Sequence, residues 1–340
     1  MRNITPTISV IMATHNTPHK WLKESIESIL NQTFTDFEFI IVDDCSSLEL
    51  KPDYDYYKDS RIKWIINEEN IGLTKSLNIA LKIAKGKYIA RMDADDICLP
   101  ERFEVQVKYM DEHPDVIVSG AYRRAFGNQD KDEIWNLPET REEQQVQLFF
   151  FNCGVTHPTA MIRKSMLDEY GITYNEKYKK AQDYGLWVQC TRYAPMAMIP
   201  QVLLKYRKSE QQITNQERTD VKKNDSKIKI DQLAMLGIAA SEDEQKLHIA
   251  FCSNDTSMDP DDMKTWVFKL KEFNNRALYL DKRIFEKELK KRWYLWCKKA
   301  FKEEGKIEAK KAYKKAVTIE YRLQDAKLYL KRKIARFARR

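Results

Sequence analysis

Five aspartates stand in two short runs, Asp43-Asp44 and Asp93-Ala94-Asp95-Asp96. Each run follows an apolar stretch that reads as a buried strand, FEFIIV over 37–42 and KYIARM over 87–92. A third such stretch, ISVIMA over 8–13, runs out into Thr14-His15-Asn16. Ligands of an open parallel sheet bind outside the carboxyl ends of its strands, so these polar groups converge on one crevice. Carboxylates crowded there repel one another and hold their protons more tightly. Arg91 is the one cation at these strand ends. A hard divalent cation with oxygen ligands, Mn²⁺ or Mg²⁺, would relieve the repulsion. Neither GxGxxG nor GxxxxGK[ST] follows the first strand. Phosphates bound here would therefore be neutralised by the metal rather than by glycine backbone. That is the logic of a metal-bridged nucleoside diphosphate with a good leaving bond, and a nucleotide sugar fits it. Taken singly, each run has a plainer reading. Asp93 to Asp96 can be an acidic cluster ahead of the helix that starts near Pro100, and Asp43-Asp44 a solvated turn.

Transfer of a sugar to a hydroxyl needs a base. Asp183, in AQDYGLW, opens a helix whose inner face carries Leu186, Trp187 and Cys190. A carboxylate in that place is either a helix cap or a functional group. His157, in THPT, lies where a loop enters a strand, and a structural role is its plainer reading. His15 and His19 are four apart with Pro18 between them, which makes a poor metal pair.

The elements that must hold these groups alternate. Strands are expected at 8–13, 37–42, 62–66, 87–92 and 116–119, and helices at 18–31, 73–84 and 100–112. Thr17 is expected to cap the first helix, with Pro18 at its first position. Such alternation implies an α/β fold on a mostly parallel, twisted sheet. Beyond residue 120, helices are expected near 140–150, 163–170 and 182–193, and strands near 155–162 and 197–206. From about 215 the chain reads as helical and richly charged. A division follows: 1–214 as the α/β domain (1–112 for the nucleotide, 113–214 for the acceptor and base) and 215–340 as a helical basic region.

The 340 residues are 43% hydrophobic and 32% charged, with only 9 Gly and 10 Pro, which excludes collagen-like and low-complexity chains. No apolar run reaches the roughly 18 residues of a membrane helix, and the N-terminus does not read as a signal peptide. The six cysteines are far apart, with no CxxC, and are expected to be reduced thiols. Net charge is +8, yet residues 281–340 hold 22 Lys/Arg against 8 Asp/Glu, so the first 280 residues carry −6. Nucleic acid is an unsuitable partner for that acidic body. Ala316, Ile319, Leu323, Ala326, Leu330, Ile334 and Phe337 follow helical spacing among basic residues. Such a stripe can lie on an anionic membrane surface or pack on its own domain.

ISVIMATHN, SIESILNQTFTDFEFIIVDDCS, NEENIGLTKSLNIALKIAKGKYIARMDADD, HPTAMIRKS, AQDYGLW and LLKYRKSEQQIT occur in this order across residues 7–214. Together they resemble the inverting glycosyltransferases of family 2, which have the GT-A fold. The resemblance implies a UDP-sugar donor (UDP-GlcNAc, UDP-Gal or UDP-Glc) and a glycan or lipid-linked glycan acceptor. It implies nucleotide-sugar binding at Ala13, Thr14, Asn16, Asp44, Asn70, Gly72, Asp93, Ala94, His157 and Arg207. Asp44 would read the uracil ring and Asp93 would lie near the ribose. Asp95 and Asp96 would hold Mn²⁺ or Mg²⁺, and Asp183 would be the general base. Two departures stand out: Gln182 replaces the usual Glu beside Asp183, and Ser209 replaces a His found in many relatives. Arg207 or Lys208 would then supply the missing charge. The long basic C-terminus resembles bacterial lipooligosaccharide and capsule enzymes, and implies a cytoplasmic protein, peripheral on the inner membrane. A degenerate member that binds sugar nucleotide or glycan without turnover is the alternative. A phosphatase-like domain puts its DxD on the first strand, a receiver-like domain needs a Lys at the end of the fifth strand, where Val116 to Gly120 has none, and a nucleotidyltransferase needs a glycine-rich basic loop that is absent.

Overall fold

A computed structural model describes residues 5–47, 49, 52–53, 58–127, 131–152, 154–208 and 218–304. The chain divides into two compact units, 1–228 and 229–340. In the first unit the strands are β1 (Ile8–Thr14), β2 (Phe37–Asp43), β3 (Ile62–Ile66), β4 (Tyr88–Arg91) and β5 (Ile97–Cys98). They continue with β6 (Val118–Gly127), β7 (Lys131–Glu133), β8 (Met161–Arg163) and β9 (Met196–Lys208). The helices are α1 (His19–Leu30), α2 (Leu73–Ile83), α3 (Arg102–Glu112), α4 (Arg141–Phe150), α5 (Lys164–Tyr170) and α6 (Gln182–Cys190).

The sheet order is β3-β2-β1-β4-β8-β6-β9-β5, with β7 paired to β6. β1, β2, β3 and β4 are mutually parallel. β8 is antiparallel to both β4 and β6, and β6 is parallel to β9. Six strands therefore point the same way, and only β5, β7 and β8 oppose them. The carboxyl ends of β6 and β9 lie on the same edge as those of β1, β2 and β4. The expectation of an α/β fold on a mostly parallel sheet holds.

Two apolar layers sandwich the sheet, because its central strands are buried on both faces. Ile11, Ile40, Val42 and Ile89 face Leu77, Leu148, Tyr184 and Trp187. Val10, Met12, Phe39 and Tyr88 face Leu22, Ile26, Phe103 and Met110.

Several local expectations are corrected. Thr17 does not cap α1: Pro18 occupies the cap position, with no side-chain cap bond, and the Thr17 hydroxyl accepts instead from Thr14 Oγ1 at 2.9 Å. The strand expected at 155–162 is a 3₁₀ turn over His157–Thr159 followed by β8, because Pro158 has no N–H for a ladder. The strand expected at 116–119 extends to Gly127. Its polar Arg123 and Arg124 pair with Glu133 and Asp132 of β7, which supplies what an apolar run would not.

The described part of the second unit is helical. α7 (Arg218–Leu233) leads into it, followed by α8 (Glu242–Ser253), α9 (Pro260–Ala277) and α10 (Lys282–Glu304). α8 opens with a reciprocal cap, Ser241 with Glu244. Its core holds Phe251, Trp266, Leu270, Phe285 and Trp296. Among the described residues no helix is long and apolar enough to cross a membrane. Ser209 and the basic stripe beyond residue 304 lie outside the described residues.

Candidate functional site

The loop after β4 gathers the acids. One carboxylate oxygen from each of Asp93, Asp95 and Asp96 lies within 4.8 Å of the others. Burial, then the Asp93 charge, pushes the Asp95 carboxyl up to about 6. Asp96 is fully buried and is pushed well above the usual range by burial, then by Asp95 and Asp93. Its Oδ2 is buried with no hydrogen-bond partner. A buried carboxylate oxygen without a donor, beside two more carboxylates, is a costly arrangement that a cation would relieve. The donor set, oxygen only, fits a hard divalent ion.

Two elements, α1 and β9, hold this loop in place. Ser25 Oγ of α1 donates to the Asp93 carbonyl at 2.8 Å, and Ser28 Oγ accepts from Cys98 N at 3.0 Å. From β9, the Arg207 N–H donates to Asp96 Oδ1 at 2.9 Å, and its Nε donates to the Asp95 carbonyl at 2.7 Å. Arg207 Nη2 also pairs with Glu24 of α1 at 2.6 Å, while its guanidinium lies over the rings of Trp21 and Phe126. Arg207 is thus fastened to the acid loop from behind.

Arg91 is buried, and its Nη2 pairs with Asp93 Oδ1 at 2.5 Å. Its charge acts on Asp95, Asp96, Asp183, His157 and Tyr174. In the sequence Arg91 stands out only as a lone cation inside a strand that ends in acids.

The first two strand ends interlock through His15. His15 Nε2 faces the side-chain amides of Asn16 at 3.1 Å and Asn70 at 3.0 Å, and Nδ1 faces the Asp44 carbonyl at 2.8 Å. Two amide donors on Nε2 and a carbonyl on Nδ1 assign the hydrogen to Nδ1. Asn16 has a left-handed backbone, φ 53°, and its Oδ1 accepts from Ser47 N at 2.8 Å. Asp44 is buried and accepts from Asn67 Nδ2 (2.8 Å), Ile71 N (3.0 Å) and Gly72 N (2.7 Å). Its carboxylate shapes the 67–72 loop. Gly72, at φ 88° and ψ 157°, adopts a conformation nearly exclusive to glycine as it turns into α2. Ala13 and Thr14 complete the end of β1, and Ala94 sits buried within the acid loop.

Asp183 lies in the first turn of α6, where its Oδ1 accepts from the Tyr184 N–H at 2.8 Å. Burial raises its carboxyl above the ordinary range, opposed by that N–H and by Arg91, and the Asp93 charge adds to the rise. The acid loop and Asp183 are therefore within each other's electrostatic reach. His157 is buried against Trp187, and its Nε2 meets Tyr174 Oη at 2.8 Å. Burial, then Arg91, holds it well below its ordinary value, so it is neutral. Its ring packs edge-on to both Tyr174 and Trp187, the latter on the helix that Asp183 opens.

The family model described as glycosyl transferase family 2 matches residues 9–171. An uncharacterized glycosyltransferase of Methanocaldococcus jannaschii is 42% identical over 213 residues, covering 59% of this chain and 71% of the relative. The Escherichia coli O-antigen biosynthesis glycosyltransferase WbnJ is 34% identical over 209 residues, covering 59% and 79%. The fold is similar to that of S. aureus TarS 1–349, with a TM-score of 0.56 at 20% identity over 91% of this chain and 90% of that one. A complex of the same TarS fragment with UDP-GlcNAc aligns equally well. The chain is a member of glycosyl transferase family 2.

Proposed function

We propose that the protein is an inverting transferase that moves a hexose or N-acetylhexosamine from a UDP-sugar to a hydroxyl of a surface glycan. The observation that carries this reading is the triad Asp93, Asp95 and Asp96, within 4.8 Å of one another on the carboxyl edge of the sheet, with Asp183 in electrostatic reach. The TarS complexes with UDP-GlcNAc and UDP support the donor class, and the O-antigen role in WbnJ's name supports the acceptor class.

In this reading residues 1–214 form the transferase domain. The ends of β1 and β2 and the 67–72 loop take the nucleotide, with Asp44 toward the uracil and Asp93 toward the ribose. Asp95 and Asp96 would hold Mn²⁺ or Mg²⁺, which when bound neutralises charge on the diphosphate. Asp183 takes the proton from the acceptor hydroxyl. The oxygen attacks the anomeric carbon from the face opposite the diphosphate. The carbon–oxygen bond to UDP breaks as the new one forms, so an α-linked donor yields a β-linkage. His157, neutral and bonded to Tyr174, packs against Trp187 of the helix that carries Asp183. Arg207 orients the acid loop and brings its charge toward the diphosphate. We further propose that the basic residues beyond 304 attach the protein peripherally to an anionic membrane surface, on the cytoplasmic side where lipid-linked acceptors would be met.

The test is UDP release from a panel of UDP-sugars, with and without Mn²⁺, with glucose- and galactose-terminated acceptors present. Metal-dependent release from one donor supports the reading. Absence of UDP binding overturns it, and binding without release favours a degenerate, glycan-binding member.

A further inference from the structure

The β6–β7 hairpin places an aromatic and cationic stack beside the acid loop. Tyr206 of β9 is partly buried. It stands between Lys205, which pairs with Ile97 of β5, and Arg207, whose N–H donates to Asp96 Oδ1 at 2.9 Å, so this stretch of β9 adjoins the acid loop. The Arg123 guanidinium lies 4.1 Å from the centre of that ring and 5.5 Å from the centre of Trp135. Arg123 is held there by Glu133, at 2.5 Å, and Glu133 also takes Lys208 at 3.2 Å. Tyr122 tilts against Trp135 with ring centres 6.3 Å apart, and its hydroxyl donates to Asn136 Oδ1 at 2.8 Å. Trp135 is half-buried, and Ile134 before it is 64% exposed.

We propose that Trp135 is the stacking platform for the acceptor saccharide, with Tyr122, Arg123 and Asn136 framing it. This rests on the transferase reading above. Three features carry the assignment. An aromatic face edged by charged and amide groups matches a pyranose, which has an apolar C–H face and a polar rim. The stack is continuous from Trp135 through Arg123 to Tyr206, whose chain neighbour Arg207 is bonded to Asp95 and Asp96. The hairpin also belongs to the β6–β9 side of the sheet, across β4 from the β1, β2 and 67–72 elements proposed for the nucleotide. A sugar on Trp135 therefore approaches from the side away from the nucleotide, as an acceptor must.

The experiment uses the full chain, Trp135→Ala and Trp135→Phe. Saturation-transfer NMR is recorded with the methyl β-glycosides of glucose, galactose and N-acetylglucosamine, with UDP and Mg²⁺ present. At least one glycoside should receive saturation from the wild type. That signal should fall about fivefold to tenfold in Trp135→Ala and persist in Trp135→Phe, since stacking needs an aromatic face rather than an indole. The UDP signal should be equal in all three proteins. A glycoside signal unchanged in Trp135→Ala, or absent from the wild type, overturns the platform. Loss of the UDP signal together with the glycoside signal in Trp135→Ala also overturns it, because the residue would then serve the donor. A missing UDP signal in the wild type counts against the nucleotide-sugar reading, whatever the glycosides do.

Discussion

The main-chain N–H of Arg207 donates to Asp96 Oδ1 at 2.9 Å, across 111 residues of sequence. The contact is made by backbone, so any side chain except proline at 207 would keep it. The Arg207 side chain adds separate bonds to the Asp95 carbonyl and to Glu24.

Arg207→Ala should therefore leave Asp96 held but loosen Asp95. Metal-dependent UDP binding is expected to weaken about tenfold, on the scale of a lost charge-assisted hydrogen bond. Metal-free UDP binding should change little. Calorimetric titrations with and without Mn²⁺ separate the two; an equal loss in both would mean Arg207 does not act through the acids.

Asp183→Asn should lower turnover by at least about 10²-fold while UDP affinity is kept, as expected when a general base is removed. Near-normal turnover would take Asp183 out of the mechanism. The wild-type pH profile offers a second check. Because the Asp183 carboxyl is raised, it stays protonated and idle to a higher pH than the ordinary 3.8. The acid limb of kcat/KM should accordingly lie above that value, with activity rising as pH rises through it.

The acid triad links metal, pH and stability. Asp95 and Asp96 hold protons more tightly folded than unfolded. Without metal, Asp95 makes the fold lose stability as pH rises from about 3.8, the unfolded value, toward about 6, and Asp96 acts in the same direction. Mg²⁺ or Mn²⁺ should raise the melting temperature at pH 7 and do so far less below about pH 5, where protons compete. Asp95→Ala should abolish the metal effect; an undiminished effect would place the ion elsewhere.

Gly72→Ala has open space for its methyl group but not the backbone freedom, since φ is 88°. It should destabilise the fold by about 1–3 kcal/mol. UDP affinity should fall with it, because the Gly72 N–H is one of three donors that shape the loop around Asp44. Thermal unfolding and UDP titration measure the two effects.

Truncation of residues 311–340 should release the protein from vesicles containing anionic lipid, measured by co-sedimentation. Binding equal to that of the full chain would remove the tail from the account.

The parallel half of the sheet was legible because its strands are continuous apolar runs that end in polar residues: FEFIIV into Asp43, YIAR into Asp93. The acids were legible for the same reason. Arg207 is legible as a charge near the diphosphate, but its bonds to the Asp95 carbonyl and Glu24 are not, because no spacing rule reaches across 100 residues. His15 was weighed only as a metal ligand, whereas it ties two strand ends and Asn70 together. Arg123 and Trp135 interrupt apolar patterns, and Tyr206 is legible only as the end of an expected strand. Their stacking depends on β6 and β9 being neighbours, which local periodicity does not encode.

The position of β9 has a consequence for synthesis. β1 to β4 are complete by residue 91, but the strand that fastens the acid loop is the last of the sheet and ends at Lys208. A nascent chain shorter than that can pair its parallel strands and still lack the clamp on Asp95 and Asp96. Its non-local closure should be the slow part of assembly. Active-site competence should therefore appear only after β9 has left the ribosome, well after the nucleotide half is able to fold.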